Sequence, residues 1–121
     1  MQIESPPRKR AALDVEVTAK AFRALGDPVR LRIVSLLLEQ EELTVSQLTE
    51  ALPVTQPRVS THLKCLVSCG FATVRREGRN AYFAVSGPEV GPLVEAMRGH
   101  ANSYADEIRE CLRCESSSRS C

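Results

Sequence analysis

A mainly α-helical fold with one small β-hairpin is what this 121-residue sequence predicts. Three observations carry the prediction. Apolar residues recur every three or four positions through most of the chain. Helix start and stop signals punctuate those runs: Asp27-Pro28, Thr44 with Gln47, and the glycines Gly26 and Gly70. Around Glu77-Gly78-Arg79-Asn80 the pattern changes instead to two short strands and a turn.

Taken in order, residues 1–10 read as a loose arm, because Ser5-Pro6-Pro7 breaks structure. Its Arg8-Lys9-Arg10 cluster is either a solvated tail or an arm that touches DNA phosphates. Ala11 to Leu25 has helical spacing, with Val15, Ala19, Phe22 and Leu25 on one face, and Gly26 ends it. Asp27 then caps a second helix and Pro28 takes its first position. Leu31, Val34, Leu37 and Leu38 form its expected buried stripe, and the acidic stretch Glu39 to Glu42 closes it.

Thr44 and Gln47 form a capping box, with Leu43 and Leu48 placed for a hydrophobic staple. This short helix ends near Leu52-Pro53. Thr55 is expected to cap the next helix, which tolerates Pro57 in its first turn, runs to Cys69 and stops at Gly70. Two helices joined by a tight turn have helix-turn-helix spacing. Phe71 to Arg76 and Ala81 to Val85 follow as strands, and a basic hairpin directly after a helix-turn-helix is a wing. Past Ser86-Gly87-Pro88, the residues Val90, Leu93, Val94, Met97, Ala101, Tyr104, Ile108 and Cys111 predict one long amphipathic helix. So small a domain leaves that stripe little to cover, so its expected partner is a second copy of the chain. The predicted organisation is an arm (1–10), a winged helix-turn-helix domain dimerising through its terminal helices (11–110), and a Cys-rich tail (111–121).

The formal net charge of +1 hides an asymmetry. Between residues 53 and 80, Arg58, Lys64, Arg75, Arg76 and Arg79 face only Glu77. A local positive field of this kind attracts polyanions even on a neutral chain. No run approaches the roughly 18 apolar residues of a membrane span. Met1 to Arg10 lacks the apolar stretch of a signal peptide, so a cytoplasmic location is expected. In such a reducing setting five cysteines argue for metal or redox work and against a disulfide framework.

The run Phe22-Arg23-Ala24-Leu25-Gly26-Asp27-Pro28-Val29-Arg30-Leu31-Arg32-Ile33 resembles the opening of ArsR/SmtB-type repressors. So does Gln56 to Lys64, followed by Gly70-Phe71 and the wing residues Arg76-Glu77-Gly78-Arg79. The resemblance covers about residues 11–110. It implies a homodimeric winged-helix DNA binder that leaves its operator on binding a metal ion or related inducer. One sensor site of the family needs cysteines at the start of the third helix, where this chain has Thr44 and Ser46. Another needs paired Asp and His on the last helix, and His100, Asp106 and Glu107 lack that spacing. The cadmium/lead-sensing variant matches better. It places two cysteines on the recognition helix, here Cys65 and Cys69, and a third in the C-terminal region, where Cys111 lies and Cys114 and Cys121 also stand.

The residues themselves support the helix pair. Cys65 and Cys69 are four apart, one above the other on a helix, about 6 Å along its axis. A helical wheel puts Val59, Leu63 and Leu66 on the core face and both cysteines well off it, near Arg58. Buried small hydrophobe, the usual role of a free cysteine, therefore suits them poorly. Cys111 continues an apolar stripe, so core packing competes with a ligand role there. Sulfur-only donors select a soft cation: Cd(II), Pb(II), Hg(II) or As(III).

For double-stranded DNA, the recognition helix offers Gln56, Arg58, Ser60, Thr61 and Lys64, and the wing offers Arg75, Arg76 and Arg79. Gln and Arg suit adenine and guanine edges, and Ser, Thr and Lys suit phosphates. Two other readings stay open at this point: a redox- or persulfide-sensing repressor of the same fold, and a metal-buffering thiol protein. No Cys-His-Asn arrangement or phosphate loop points to an enzyme.

Overall fold

The computed structural model describes residues 14–113. The expected arm, and the tail positions Cys114 and Cys121, lie outside the described residues. Eight elements follow one another: α1 (Val15–Leu25), α2 (Pro28–Gln40), α3 (Val45–Ala51), α4 (Gln56–Ser68), β1 (Ala72–Glu77), β2 (Asn80–Val85), α5 (Val90–Ser103) and α6 (Ala105–Glu110). The core sits where α2, α3 and α4 meet. Ile33, Val34, Leu37, Leu48, Val59, Leu63 and Leu66 are essentially sealed from solvent there. No helix among the described residues is long and apolar enough to cross a membrane.

Local chemistry sets most of the ends. The Asp27 carboxylate accepts from the Val29 and Arg30 amides at 3.0 and 3.1 Å, and so caps α2. At α3 the Thr44 hydroxyl accepts from Gln47 N–H while the Gln47 side chain accepts from Thr44 N–H, a complete capping box. Gly70, at φ +84°, supplies the left-handed residue that lets the chain turn off α4. Gly78, at φ +63°, opens the hairpin turn as type II′ requires. Glu77 and Asn80 pair across the ladder, so the turn is two residues long rather than the four expected.

Four expectations are corrected. The first helix begins at Val15 rather than Ala11, because the Asp14 side chain caps it through Val17 N–H. Thr55 stands at the N-cap of α4 but its side chain makes no capping bond. The terminal helix is not continuous: Tyr104 leaves helical geometry and separates α5 from α6. His100, Asn102 and Ser103, all weak helix formers, precede the break. Finally, Leu31 and Leu38 are not part of the core. Each is 39% exposed, as no described residue fully covers the side of α2 they occupy.

That uncovered side belongs to a larger feature. Phe22 and Leu25 of α1, Leu31 and Leu38 of α2, and Leu93 and Met97 of α5 line an open apolar groove of about 1090 Å³. Phe22 and Met97 are half exposed there, and Tyr104 and Ile108, beyond the groove, are also about half exposed.

Candidate nucleic-acid interface and thiol pair

The recognition helix α4 is anchored by Val59, Leu63 and Leu66, which are buried against the core. Its other sides follow from that anchoring. Gln56, Arg58, Thr61 and Lys64 are exposed and Ser60 is half-buried. Thr61 donates its hydroxyl proton to the Pro57 carbonyl at 3.0 Å, leaving oxygen lone pairs facing outward.

The wing follows directly. β1 and β2 pair antiparallel, with Arg75 opposite Tyr82 and Arg76 opposite Ala81. Side chains alternate along a strand, so Arg75 and Arg76 point to opposite faces. Arg76 lines a cleft of about 450 Å³ together with Ser60, Lys64 and Ser68 of α4. Two cations, Lys64 and Arg76, therefore stand together at the junction of α4 and the hairpin. Arg75 turns the other way. Its guanidinium forks onto Glu42 at 2.8 and 3.0 Å, reaches Glu77 at 2.7 Å, and lies 4.7 Å over the Tyr82 ring. The Arg75 bond holds the Glu42 carboxyl below its ordinary range. Arg79 sits exposed in the turn.

The inner side of α4 carries a polar contact that the sequence did not announce. Arg30 is only 6% exposed. Its Nε donates to the Ala24 carbonyl at 2.6 Å and its Nη2 reaches the Arg23 carbonyl at 3.5 Å. The Arg23 carbonyl already accepts from Gly26 N–H at 3.0 Å, whereas the Ala24 carbonyl is an open acceptor at the end of α1, so Arg30 helps cap that helix from α2. Its Nη1 lies 3.1 Å from Nδ1 of His62, on the recognition helix. Since the guanidinium can only donate, Nδ1 accepts and His62 is neutral, with its proton on Nε2. Nε2 lies 4.0 Å from Asp27. That carboxylate favours a charged ring, but burial, with Arg30 and Arg58 adding to it, outweighs it and holds the His62 pKa below its ordinary 6.5.

A stability prediction follows with a definite sign. The unfolded chain protonates His62 near pH 6.5 and the folded chain only below that. The contribution is therefore complete above that pH and is lost as pH falls through it. The urea midpoint should be flat from about pH 8 to about pH 7 and fall toward about pH 5. His62→Gln, which keeps an acceptor for Arg30, should flatten the acid limb. An unchanged acid limb in that variant would rule His62 out.

The thiols lie on the outward side. Cys65 is half-buried within α4, and Cys69 is exposed at its C-cap. Cys69 N–H still donates to the Cys65 carbonyl at 2.9 Å, so the last turn is intact and the two side chains stand one turn apart. Cys65 follows Arg58 by two turns and Thr61 by one, so the thiols continue the stripe of α4 that carries those two residues. Cys111 caps the end of α6 and is half-buried. Among the described residues of one chain, no three Cys, His, Asp or Glu side chains gather closely enough to hold a metal ion. Cys111 is thus not brought to Cys65 and Cys69 within a single chain.

Comparison with known proteins agrees with this geometry. Residues 27–74 match the family described as bacterial regulatory protein, arsR family. A probable mercury resistance operon repressor of Streptomyces lividans is 40% identical over 98 residues, covering 81% of this chain and 78% of that one. The HTH-type transcriptional repressor SmtB of Mycobacterium tuberculosis is 35% identical over 100 residues, covering 83% of this chain and 70% of that one. The homodimeric winged helix-turn-helix domain Mb0332 of Mycobacterium bovis superposes with a TM-score of 0.69 at 27% identity, covering 85% of this chain and 93% of that one.

Proposed function

Because this chain belongs to the ArsR family of bacterial regulators, which are DNA-binding transcriptional regulators and not enzymes, we propose that it holds operator DNA as a dimer and releases it when a thiophilic heavy metal binds its cysteine thiolates. One observation carries the reading. The stripe of α4 that presents Arg58 and Thr61 to DNA runs on into Cys65 and Cys69. The mercury-resistance repressor among its relatives supports a metal as inducer.

Two sulfur donors one turn apart fit a soft cation such as Cd(II), Pb(II), Hg(II) or As(III), and not a hard one. When bound, such an ion supplies a cross-link between thiolates. Cys65 and Cys69 are two of its ligands. The third is a thiolate of the C-terminal segment, Cys111, Cys114 or Cys121, from either subunit. Gln56 and Arg58 read base edges in the major groove, Ser60, Thr61 and Lys64 hold phosphates beside it, and Arg76 and Arg79 of the wing meet the backbone. Tying α4 to the C-terminal segment changes how the two recognition helices sit relative to each other, and the DNA-bound state loses. The cytoplasm, where thiols stay reduced, is the compartment this reading requires.

The test is fluorescence anisotropy on a labelled promoter fragment from the protein's own operon, in reducing buffer at fixed salt. Cd(II), Pb(II), Hg(II) and As(III) are added in turn. One of them should weaken binding about 5- to 150-fold, the usual range of allosteric coupling. Cys65→Ser and Cys69→Ser should bind DNA within about twofold of wild type and lose the metal response, since neither thiol is needed to hold the helix. Release by metal that persists in both variants would misplace the site. Release by oxidant and by no metal would move the thiols to redox sensing.

A further inference from the structure

Charge alone makes all three wing arginines equivalent as phosphate ligands, but their surroundings differ. Arg75 faces away from the cleft that Arg76 shares with Lys64. Its fork is filled by Glu42, its remaining terminal nitrogen by Glu77, and its face by Tyr82. Glu42 comes from the turn between α2 and α3. The next residue, Leu43, exchanges both backbone hydrogen bonds with Phe83 of the wing, at 3.0 and 2.8 Å. The residue before, Glu41, takes φ +60° and ψ −64°, and Glu42 N–H bonds back to Gln40. That is the γ-turn conformation an L-residue adopts only under constraint. Side chain and backbone of one turn thus grip the wing at adjacent positions.

We propose that Arg75 is a positioning residue: with Glu42 it is the strut that sets the wing against the helix-turn-helix, while Arg76 and Arg79 make the wing's phosphate contacts. This rests on the DNA-binding reading above and refines it. A phosphate ligand and a strut respond oppositely to loss of Glu42. If Arg75 bound phosphate, Glu42→Gln would release it and strengthen DNA binding. As a strut partner, Glu42→Gln should weaken binding about fivefold, on the scale of two exposed ion pairs per dimer, and Arg75→Ala should match it.

Salt supplies a second arm. Each phosphate contact contributes about 0.9 to the slope of log affinity against log salt, so loss of one contact from both protomers lowers it by about 2. That drop is expected for Arg76→Ala and for Arg79→Ala, and no change for Arg75→Ala. A third arm needs no DNA. Amide exchange at Leu43 and Phe83 should speed up in Arg75→Ala and Glu42→Gln and stay at the wild-type rate in Arg76→Ala. Unchanged exchange in both strut variants, or tighter DNA binding by Glu42→Gln, overturns the strut. Faster exchange in a protein whose wild type ignores operator DNA would leave the strut standing and remove the DNA reading instead.

Discussion

Met97→Asp is expected to abolish tight operator binding without touching any residue that meets DNA. Met97 is 52% exposed on α5, in the apolar groove that α1, α2 and α5 leave open. Phe22 is 50% exposed across that groove, and Leu31 and Leu38, each 39% exposed, line it too. So much contiguous apolar side chain on one side of a small domain marks an interface. A carboxylate at its centre would be desolvated with no partner. The dimer should therefore dissociate, in a variant whose own core, around Ile33, Leu37, Leu48 and Leu63, is untouched.

The size of the DNA effect follows from linkage of the two reading heads. Once one recognition helix is seated, the second binds from an effective concentration near millimolar, and avidity exceeds single-site affinity by roughly 10²- to 10⁴-fold. Operator affinity should fall by at least about 100-fold, while affinity for an isolated half-site changes little. Sedimentation gives the oligomeric state, and anisotropy on full and half operators gives the affinities. A variant that stays dimeric, or a monomer that keeps full affinity, would refute the assignment of this groove to a second copy.

Arg30→Ala should have the largest effect on stability. Its guanidinium satisfies the Ala24 and Arg23 carbonyls at the end of α1 and donates to His62 of α4. Truncation leaves at least the Ala24 carbonyl buried without that donor, and leaves a hole at a three-helix junction. Together these should lower stability by about 3 kcal/mol, the range for a lost charge-assisted hydrogen bond plus an orphaned acceptor. For a domain of this size that is a fall in Tm of roughly 15 °C at fixed protein concentration. Arg30→Lys should recover only part, because a point ammonium cannot span three acceptors on two helices. Thermal melts of the three proteins check this, and a loss below about 1 kcal/mol would show that water replaces the fork.

Which features were legible in the sequence depends on their range. Asp27, Thr44 with Gln47, and Gly70 act on neighbours within four residues and mark their helix ends within one residue of the expected place, while Gly78 marks the hairpin turn but not the residue at which each strand stops. The core face of α4 was equally clear, because Val59, Leu63 and Leu66 share one side of a helix. Periodicity failed where it could not say who covers a face. Leu31 and Leu38 carry the same signal as Leu37, but they line the open groove. The candidate site divides in the same way. Cys65 and Cys69 lie off the core face one turn apart, since four residues fix their relation, but only Cys69 is exposed and Cys65 is half-buried. Arg75 looked like Arg76 because its partner, Glu42, is 33 residues away. Arg30 had no local mark at all, because its role is to cap a helix other than its own.

The break at Tyr104 has a consequence for how movable Cys111 is. α6 is six residues long, and a helix so short cannot repay the entropy of its own first turn in water. None of its residues is buried within the chain. Its conformation is therefore set by whatever it rests against. In thermodynamic terms the segment carrying Cys111 is joined to α5 through one non-helical residue and has little helical stability of its own to lose. Under the proposed reading, drawing so short a segment toward the thiolate pair costs less than moving a helix packed into the core, so more of the binding energy is left to act on the recognition helix.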